Sequence, residues 1–112
     1  MANEQLLQYE MKKKNDWTVW ILKGRLDRTT GPAAGDDGTK LLDENSSVAV
    51  NLAELSYISS AGLRVILRLA KKAKADGKKF ALCAPVGMVK EVLEEASMNV
   101  FVDIFDSEEE LT

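Results

Sequence analysis

The sequence predicts an α/β fold in which a mixed, mostly parallel sheet of about five strands packs with three to four helices. Hydrophobic periodicity switches repeatedly between two residues and 3.6 residues along the chain. Strand-helix-strand units imply parallel neighbours with right-handed crossovers, and an initial hairpin adds one antiparallel strand. We therefore predict the order ββαβαβαβ(α) in a single domain over residues 1–112, with residues 1–6 as a flexible N-terminus.

The composition is that of an ordinary globular protein, and it excludes several classes of function. Of 112 residues, 46% are hydrophobic and 29% are charged, and the formal net charge is −3. Because nucleic-acid binders usually show a basic face, we expect no direct nucleic-acid contact. The chain has no histidine, which removes Ser-His-Asp and Cys-His catalysis and imidazole metal ligands. We expect no enzymatic activity, no metal and no cofactor.

The N-terminus and the cysteine usage predict a cytoplasmic location. Residues 1–5 are not a basic stretch followed by an apolar one, so we predict no signal peptide. No apolar run approaches the roughly 18 residues of a membrane-spanning helix, so we expect no membrane insertion. The single cysteine, Cys83, suits a reducing compartment and is predicted to be a small buried hydrophobe.

The first two strands are predicted as an antiparallel hairpin over residues 8–13 and 17–23, joined by the turn Lys14-Asn15-Asp16. Both faces of the second strand are largely apolar, so we expect it to be central, with at least one tryptophan in the core. One face carries Trp17, Val19 and Ile21, and the other carries Thr18, Trp20 and Leu22.

The middle of the chain predicts a helix, a strand and a second helix. The first helix is expected within residues 28–45, although Gly35 and Gly38 inside it each cost about 1 kcal/mol relative to alanine. Residues 48–52 are a short buried strand, and residues 60–76 are the strongest helix, ended by Gly77. The inward stripe of that helix consists of Leu63, Ile66, Leu67, Ala70 and Ala73.

The last third of the chain predicts a strand over residues 80–83, an amphipathic helix and a final strand over residues 100–105. Ser107 and Glu110 have the capping-box spacing of a further helix start. Neither the acidic triplet 108–110 nor Asp36-Asp37 shows the spaced oxygen ligands of a calcium loop. The amphipathic helix is marked by Val89, Val92, Leu93 and Ala96.

Two serines, Ser59 and Ser60, follow an apolar strand at the point where the strongest helix begins. A helix N-terminus offers unpaired N–H groups and a partial positive charge, so a serine there can cap the helix or carry a phosphate. A cap is worth about 1 kcal/mol against alanine, and for an isolated pair it is the favoured interpretation.

The longer string favours the phosphate. Asn51-Leu-Ala-Glu-Leu-Ser-Tyr-Ile-Ser-Ser-Ala-Gly-Leu-Arg64 resembles the signature of STAS-domain proteins of the anti-sigma factor antagonist kind. Gly24-Arg-Leu-Asp27, Pro85 and Phe105-Asp-Ser follow the same pattern, so the resemblance covers nearly the entire chain. Ser59 stands where many members have an acidic residue, and the stretch 31–38 is richer in glycine than the regular helix of the family.

The resemblance implies a phosphorylation-switched regulator in which Ser60 is the modified residue, with Ser59 as the second choice. The unphosphorylated protein would bind an anti-sigma factor that is also a GHKL-type serine kinase, and so free a sigma factor. A PP2C-like phosphatase would reverse the phosphorylation. An accessory subunit of a lipid or ABC-type membrane transporter is the alternative, and it would not need the serine. The expected partner-binding residues are Arg25, Asp27, Ser59, Ala61, Gly62 and Arg64.

A basic stripe lies on the main helix opposite its predicted buried face. It consists of Arg64, Arg68, Lys71 and Lys72. Such a stripe is usually only solvated, and the alternative is a contact with an acidic partner surface. Val65 and Leu69 lie between the two stripes, where they either widen the buried face or, if exposed, contact a partner.

Overall fold

Five strands form one mixed sheet in the computed structural model, which describes residues 6–112. Their order across the sheet follows the chain: β1 (Leu7–Lys14), β2 (Trp17–Leu26), β3 (Ser47–Ile58), β4 (Lys79–Cys83) and β5 (Asp103–Phe105). β1 is antiparallel to β2, and every other neighbouring pair is parallel. The predicted mixed, mostly parallel sheet is therefore confirmed. The predicted flexible N-terminus lies outside the described residues except for Leu6, whose carbonyl accepts the Arg25 N–H at 2.9 Å.

Three helices pack on one face of this sheet. They are α1 (Gly31–Glu44), α2 (Ser60–Ala75) and α3 (Gly87–Glu95). Their buried side chains share one hydrophobic cluster with Trp20, Val50 and Leu82 of the strands. The opposite face carries Trp17 and Val19 in a second cluster. Since alternate residues of β2 enter different clusters, β2 is a central strand, as predicted. Both tryptophans are buried, whereas the sequence predicts at least one in the core.

The C-terminal residues cover the second face of the sheet. Leu111 is fully buried there, against the cluster that also holds the buried thiol of Cys83. The indole N–H of Trp17 donates to the carbonyl of Thr112 at 3.2 Å, and the side chain of Asn15 donates to the carbonyl of Leu111 at 2.7 Å. Among the described residues, the segment after β5 thus covers the face of the sheet on which none of α1, α2 and α3 packs.

The two central strands run further than their sequence predicts. β2 continues three residues beyond Lys23, and β3 continues six residues beyond Leu52. The extensions pair with each other in parallel, with Arg25 opposite Tyr57 and Leu26 opposite Ile58. Hydrogen bonds between β2 and β3 therefore keep both extensions in strand conformation, although the local sequence pattern does not assign them to strands.

The glycine-rich segment forms a helix over Gly31–Glu44, within the predicted range of 28–45. The preceding loop is held by Asp27, whose Oδ1 accepts the N–H groups of Thr29 at 3.0 Å and Thr30 at 3.1 Å. At Gly38 an added Cβ would lie 2.6 Å from Leu69 Cδ1 and 3.1 Å from the Trp20 ring. The glycine allows close packing of α1 on α2, which compensates its low helix propensity.

The buried stripe of α2 differs in part from the prediction. Ile66, Ala70 and Ala73 are buried as predicted, whereas Leu63 and Leu67 are only half-buried. Val65 and Leu69 are 4% and 3% exposed, so they widen the core and are not partner contacts. The physical reason is the close approach of α1, which covers this side of α2. The C-terminal glycine is confirmed at Gly77, whose φ is +70°.

The C-terminal strand and helix are shorter than predicted. Residues 98–100 form a 3₁₀ turn in which Val100 is 72% exposed, and only residues 103–105 pair with β4. Ala96 lies just beyond α3 and is exposed. Ser107 makes no side-chain cap, and residues 108–110 form a single 3₁₀ turn. Glu108 instead binds Lys12 at 2.7 Å and the amide of Asn51, which ties this turn to the sheet.

Candidate functional site

The serine pair lies at the junction of β3 and α2, and the structure gives its two members different roles. Ser59 has extended backbone, and its hydroxyl accepts the Gly62 N–H at 3.3 Å as the cap of α2. Its own N–H donates to the carbonyl of Leu26 at 3.1 Å. Ser60 is the first residue of the helix, and its side chain is exposed. The cap predicted for this pair is therefore Ser59, and the accessible hydroxyl is that of Ser60.

The electrostatic environment at the start of α2 favours a negative charge on the side chain of Ser60. α2 has no acidic residue in its first turn, and Arg64 lies one turn further along the same helix. The unpaired N–H groups and the dipole at the helix start add a partial positive charge. A phosphate on Ser60 would therefore be tolerated by the helix that carries it.

Arg25 and Asp27 lie beside the serine junction, since β2 and β3 end at the same edge of the sheet. The guanidinium of Arg25 lies 4.2 Å from the centre of the Tyr57 ring, and its Nε lies 3.5 Å from Asp27 Oδ2. The backbone N–H of Thr30, with smaller contributions from Thr29 and Arg25, holds the pKa of the Asp27 carboxyl below its usual range. Asp27 is thus an ionised loop anchor, and its partner role stays a prediction.

Gly62 has an internal role in the structure. It is buried, and an added Cβ would lie 2.5 Å from the carbonyl oxygen of Leu26 and 2.8 Å from Ile58 Cγ1. This glycine therefore permits a close backbone approach by the last residue of β2, and its predicted partner contact stays a prediction. Ala61 is half-buried and Arg64 is exposed, so both remain beside Ser60 at the surface.

The predicted basic stripe divides into two parts. Arg64, Arg68 and Lys71 are exposed, whereas Lys72 is half-buried and binds Asp43 at 3.0 Å and Asp76 at 2.7 Å. The first three residues line a groove between α1 and α2. Sequence reasoning missed Arg28, which completes this groove from the β2–α1 loop. The spacing of Gly31, Gly35 and Gly38 was the available signal, since small residues on one helix face permit a close neighbour.

Within residues 6–112, no three His, Cys, Asp or Glu side chains are grouped as metal ligands. None of the helices over the same range is long and apolar enough to cross a membrane.

A curated protein is similar to this chain in sequence. The chain is 41% identical over 58 residues to BtrV of Bordetella bronchiseptica, which is named as an anti-sigma factor antagonist. That match covers 52% of this chain and 47% of BtrV, so the chain spans about half the length of this relative.

Two solved structures share the fold over most of their length. The crystal structure of a Thermotoga maritima protein, titled as an anti-sigma factor antagonist, has a TM-score of 0.83 at 22% identity and covers 92% of this chain and 90% of its own. The phosphorylated form of the Bacillus cell-fate determinant SpoIIAA has a TM-score of 0.68 at 16% identity, with coverage of 93% and 96%. The STAS domain profile matches residues 8–111, which is nearly the whole chain, and the protein therefore belongs to the STAS domain family.

Proposed function

We propose that this protein is an anti-sigma factor antagonist that is switched off by phosphorylation of Ser60. The observation that carries the proposal is the exposed hydroxyl of Ser60 at the start of α2, beside a capping serine that is already engaged. Because STAS folds serve several functions, the fold alone does not select this one. The name of BtrV and the existence of a phosphorylated SpoIIAA structure support it.

In the proposed cycle, the unphosphorylated protein binds a cytoplasmic anti-sigma factor, which is a serine kinase of the GHKL type. Binding displaces the sigma factor. The kinase then transfers a phosphoryl group to Ser60, and a PP2C-like phosphatase removes it. The chemistry lies in these partners, while this chain supplies an acceptor hydroxyl and a docking surface and has no catalytic role.

Charge explains how one modification could end the complex. A phosphate adds roughly −1.5 to −2 charges at neutral pH to a position that was a neutral hydroxyl. A partner surface that packs on the small hydroxyl would meet a bulky anion that has to be desolvated. Ser60 is exposed at a helix start, so the domain itself should stay folded when it is modified.

The test is incubation of the purified protein with its cognate GHKL-type kinase and magnesium ATP, followed by peptide mapping by mass spectrometry. We expect one phosphate on Ser60, no phosphate in Ser60→Ala and normal modification in Ser59→Ala. The two alanine variants are a matched pair because they remove adjacent hydroxyl groups from the same junction. A phosphate on neither serine would refute the proposal.

Binding gives a second, independent readout. Ser60→Asp should weaken binding to the kinase by at least about tenfold, while Ser60→Ala should bind like the wild type. Unchanged binding of Ser60→Asp, together with co-purification of a transporter ATPase, would instead support the accessory-subunit alternative.

A further inference from the structure

A groove between α1 and α2 begins next to the serine junction and is rimmed by cations. We call it the basic groove. Its rim consists of Arg28, Arg64, Arg68 and Lys71, and its apolar floor consists of the exposed Pro32 and the half-buried Leu67, with the buried Val65 beneath them. The groove has a volume of about 410 Å³ and no carboxylate among its lining residues. An apolar floor inside a cationic rim is an arrangement that can bind an acidic segment carrying an apolar side chain.

The rim cations lack carboxylate partners within the described residues 6–112. Lys12, Lys23, Arg25 and Lys72 all form ion pairs there, but none of the four rim cations does. These four cations lie close together on the surface, although the whole chain has a net charge of −3. The basic groove is therefore a local surface of opposite sign to the rest of the molecule.

Folding does not account for this arrangement. Arg64 and Arg68 are four residues apart on α2, and Arg68 and Lys71 are three apart, so like charges face each other along the helix. Such pairs destabilise a helix in isolation. A bound acidic partner would offset the repulsion between these cations because its carboxylates attract all of them.

Small residues on α1 keep the groove open. At Gly35 an added Cβ would lie 3.9 Å from both the Arg68 guanidinium and Val65, and at Gly31 it would lie 3.3 Å from Val65 Cγ2. Neither position carries a side chain that could fill the space between the helices. The side chains of Pro32 and Leu67 therefore remain accessible between the cations.

The groove is continuous with Ser60. Ala61, the next residue, lines the groove, and Arg64 lies one helical turn from Ser60, at a spacing where side chains on a helix meet. A phosphate on Ser60 would thus stand at the mouth of the groove, within reach of one of its cations. It would compete for that cation with any acidic group of a bound partner.

We propose that the basic groove is the docking surface for an acidic segment of the anti-sigma factor, with an apolar side chain of that segment over the floor. The proposal rests on the function proposed above and adds the chemistry of the partner's contact. Phosphorylation then acts by placing a competing anion beside Arg64 as well as by steric exclusion.

The test measures binding of the full-length protein to the purified GHKL-type kinase from the same gene neighbourhood, by calorimetry at low and at high salt. The variant Arg64→Gln/Arg68→Gln removes two rim cations. Its control, Lys40→Gln/Lys90→Gln, removes two exposed helical cations outside the groove and reaches the same net charge. Thermal unfolding of both variants verifies that they are folded.

We expect the groove variant to bind about tenfold more weakly than the wild type, with a flatter salt dependence, and the control to change by less than about twofold. Equal affinities of the groove variant and the control would overturn the proposal. If the groove variant and the control bind equally while Ser60→Asp still abolishes binding, the proposed function stands and only the groove proposal is removed. A wild-type protein that does not bind the kinase at all removes both. Groove-dependent binding to an oligonucleotide or an anionic vesicle, with kinase binding unchanged, identifies a different occupant and also refutes the proposal.

Discussion

Replacing Gly62 with alanine tests whether the serine junction is positioned by a backbone contact inside the protein. The new methyl carbon would lie 2.5 Å from the carbonyl oxygen of Leu26, whereas a carbon and a carbonyl oxygen ordinarily approach no closer than about 3.3 Å. One of the two segments must therefore move by about 0.8 Å. The same carbonyl accepts the N–H of Ser59 at 3.1 Å, so the movement also strains the residue that caps α2.

The expected cost follows from two opposing effects. Overpacking of a buried site costs about 1–3 kcal/mol, and weakening of the Ser59 cap adds up to about 1 kcal/mol. The higher helix propensity of alanine returns at most about 1 kcal/mol. We therefore expect Gly62→Ala to lose about 2 kcal/mol of unfolding free energy, or roughly 8 °C in Tm for a chain of this size.

Urea unfolding followed by the fluorescence of the two buried tryptophans measures this loss. Gly35→Ala is the matched control because its methyl carbon would make only ordinary contacts, at 3.9 Å from Arg68 and Val65. It lies in the middle of α1, so we expect it to gain about 1 kcal/mol. The reasoning is refuted if Gly62→Ala is as stable as the wild type, or if both variants lose stability equally.

Three further predictions concern single side chains. Ser59→Ala should lose about 1 kcal/mol of unfolding free energy in urea, while Ser60→Ala should change it by less than about 0.5 kcal/mol; equal losses would contradict the division of roles. For Asp27, the pKa in the folded protein lies below the ordinary value of 3.8. The ionised carboxylate therefore stabilises the fold fully at neutral pH, and this stabilisation is lost as the pH falls through 3.8 towards the folded pKa. The stability difference between wild type and Asp27→Asn should therefore shrink between pH 7 and pH 3 in urea titrations, and a constant difference would contradict it. Burial raises the pKa of the Cys83 thiol from 9.0 to about 11, so alkylation by iodoacetamide at pH 8 should be slow in the native protein and fast in urea.

Much of the sheet is predictable because its signals are local. The alternation of β2 assigns its two faces correctly, and the turn at Asn15 places the hairpin. The lengths of β2 and β3 are not predictable in this way, since residues 53–58 are held extended by their pairing with β2 rather than by their own pattern. The predicted strand at residues 100–105 fails for the related reason that only three of its residues find a partner strand.

The candidate site is likewise predictable only where its features depend on local sequence. The sequence locates Ser59 and Ser60 at a helix start, but it does not distinguish the cap from the accessible hydroxyl, because that depends on which oxygen faces the Gly62 N–H. It also leaves Val65 and Leu69 open between core and surface. Their burial is decided by the approach of α1, whose Gly31, Gly35 and Gly38 lie far earlier in the chain than the side chains that they approach.

By itself, then, the sequence determines the class of fold, the order of its elements and the position of the serine junction, since each rests on short-range periodicity and on a local motif. Tertiary structure alone decides which serine is exposed, what Gly62 contacts and where the basic groove runs. These depend on contacts between segments distant in sequence. The end of β2 contacts the start of α2, and the glycine-bearing face of α1 packs beside the arginines of α2. Side-chain periodicity specifies which face of an element is apolar, but only packing specifies which neighbour covers it.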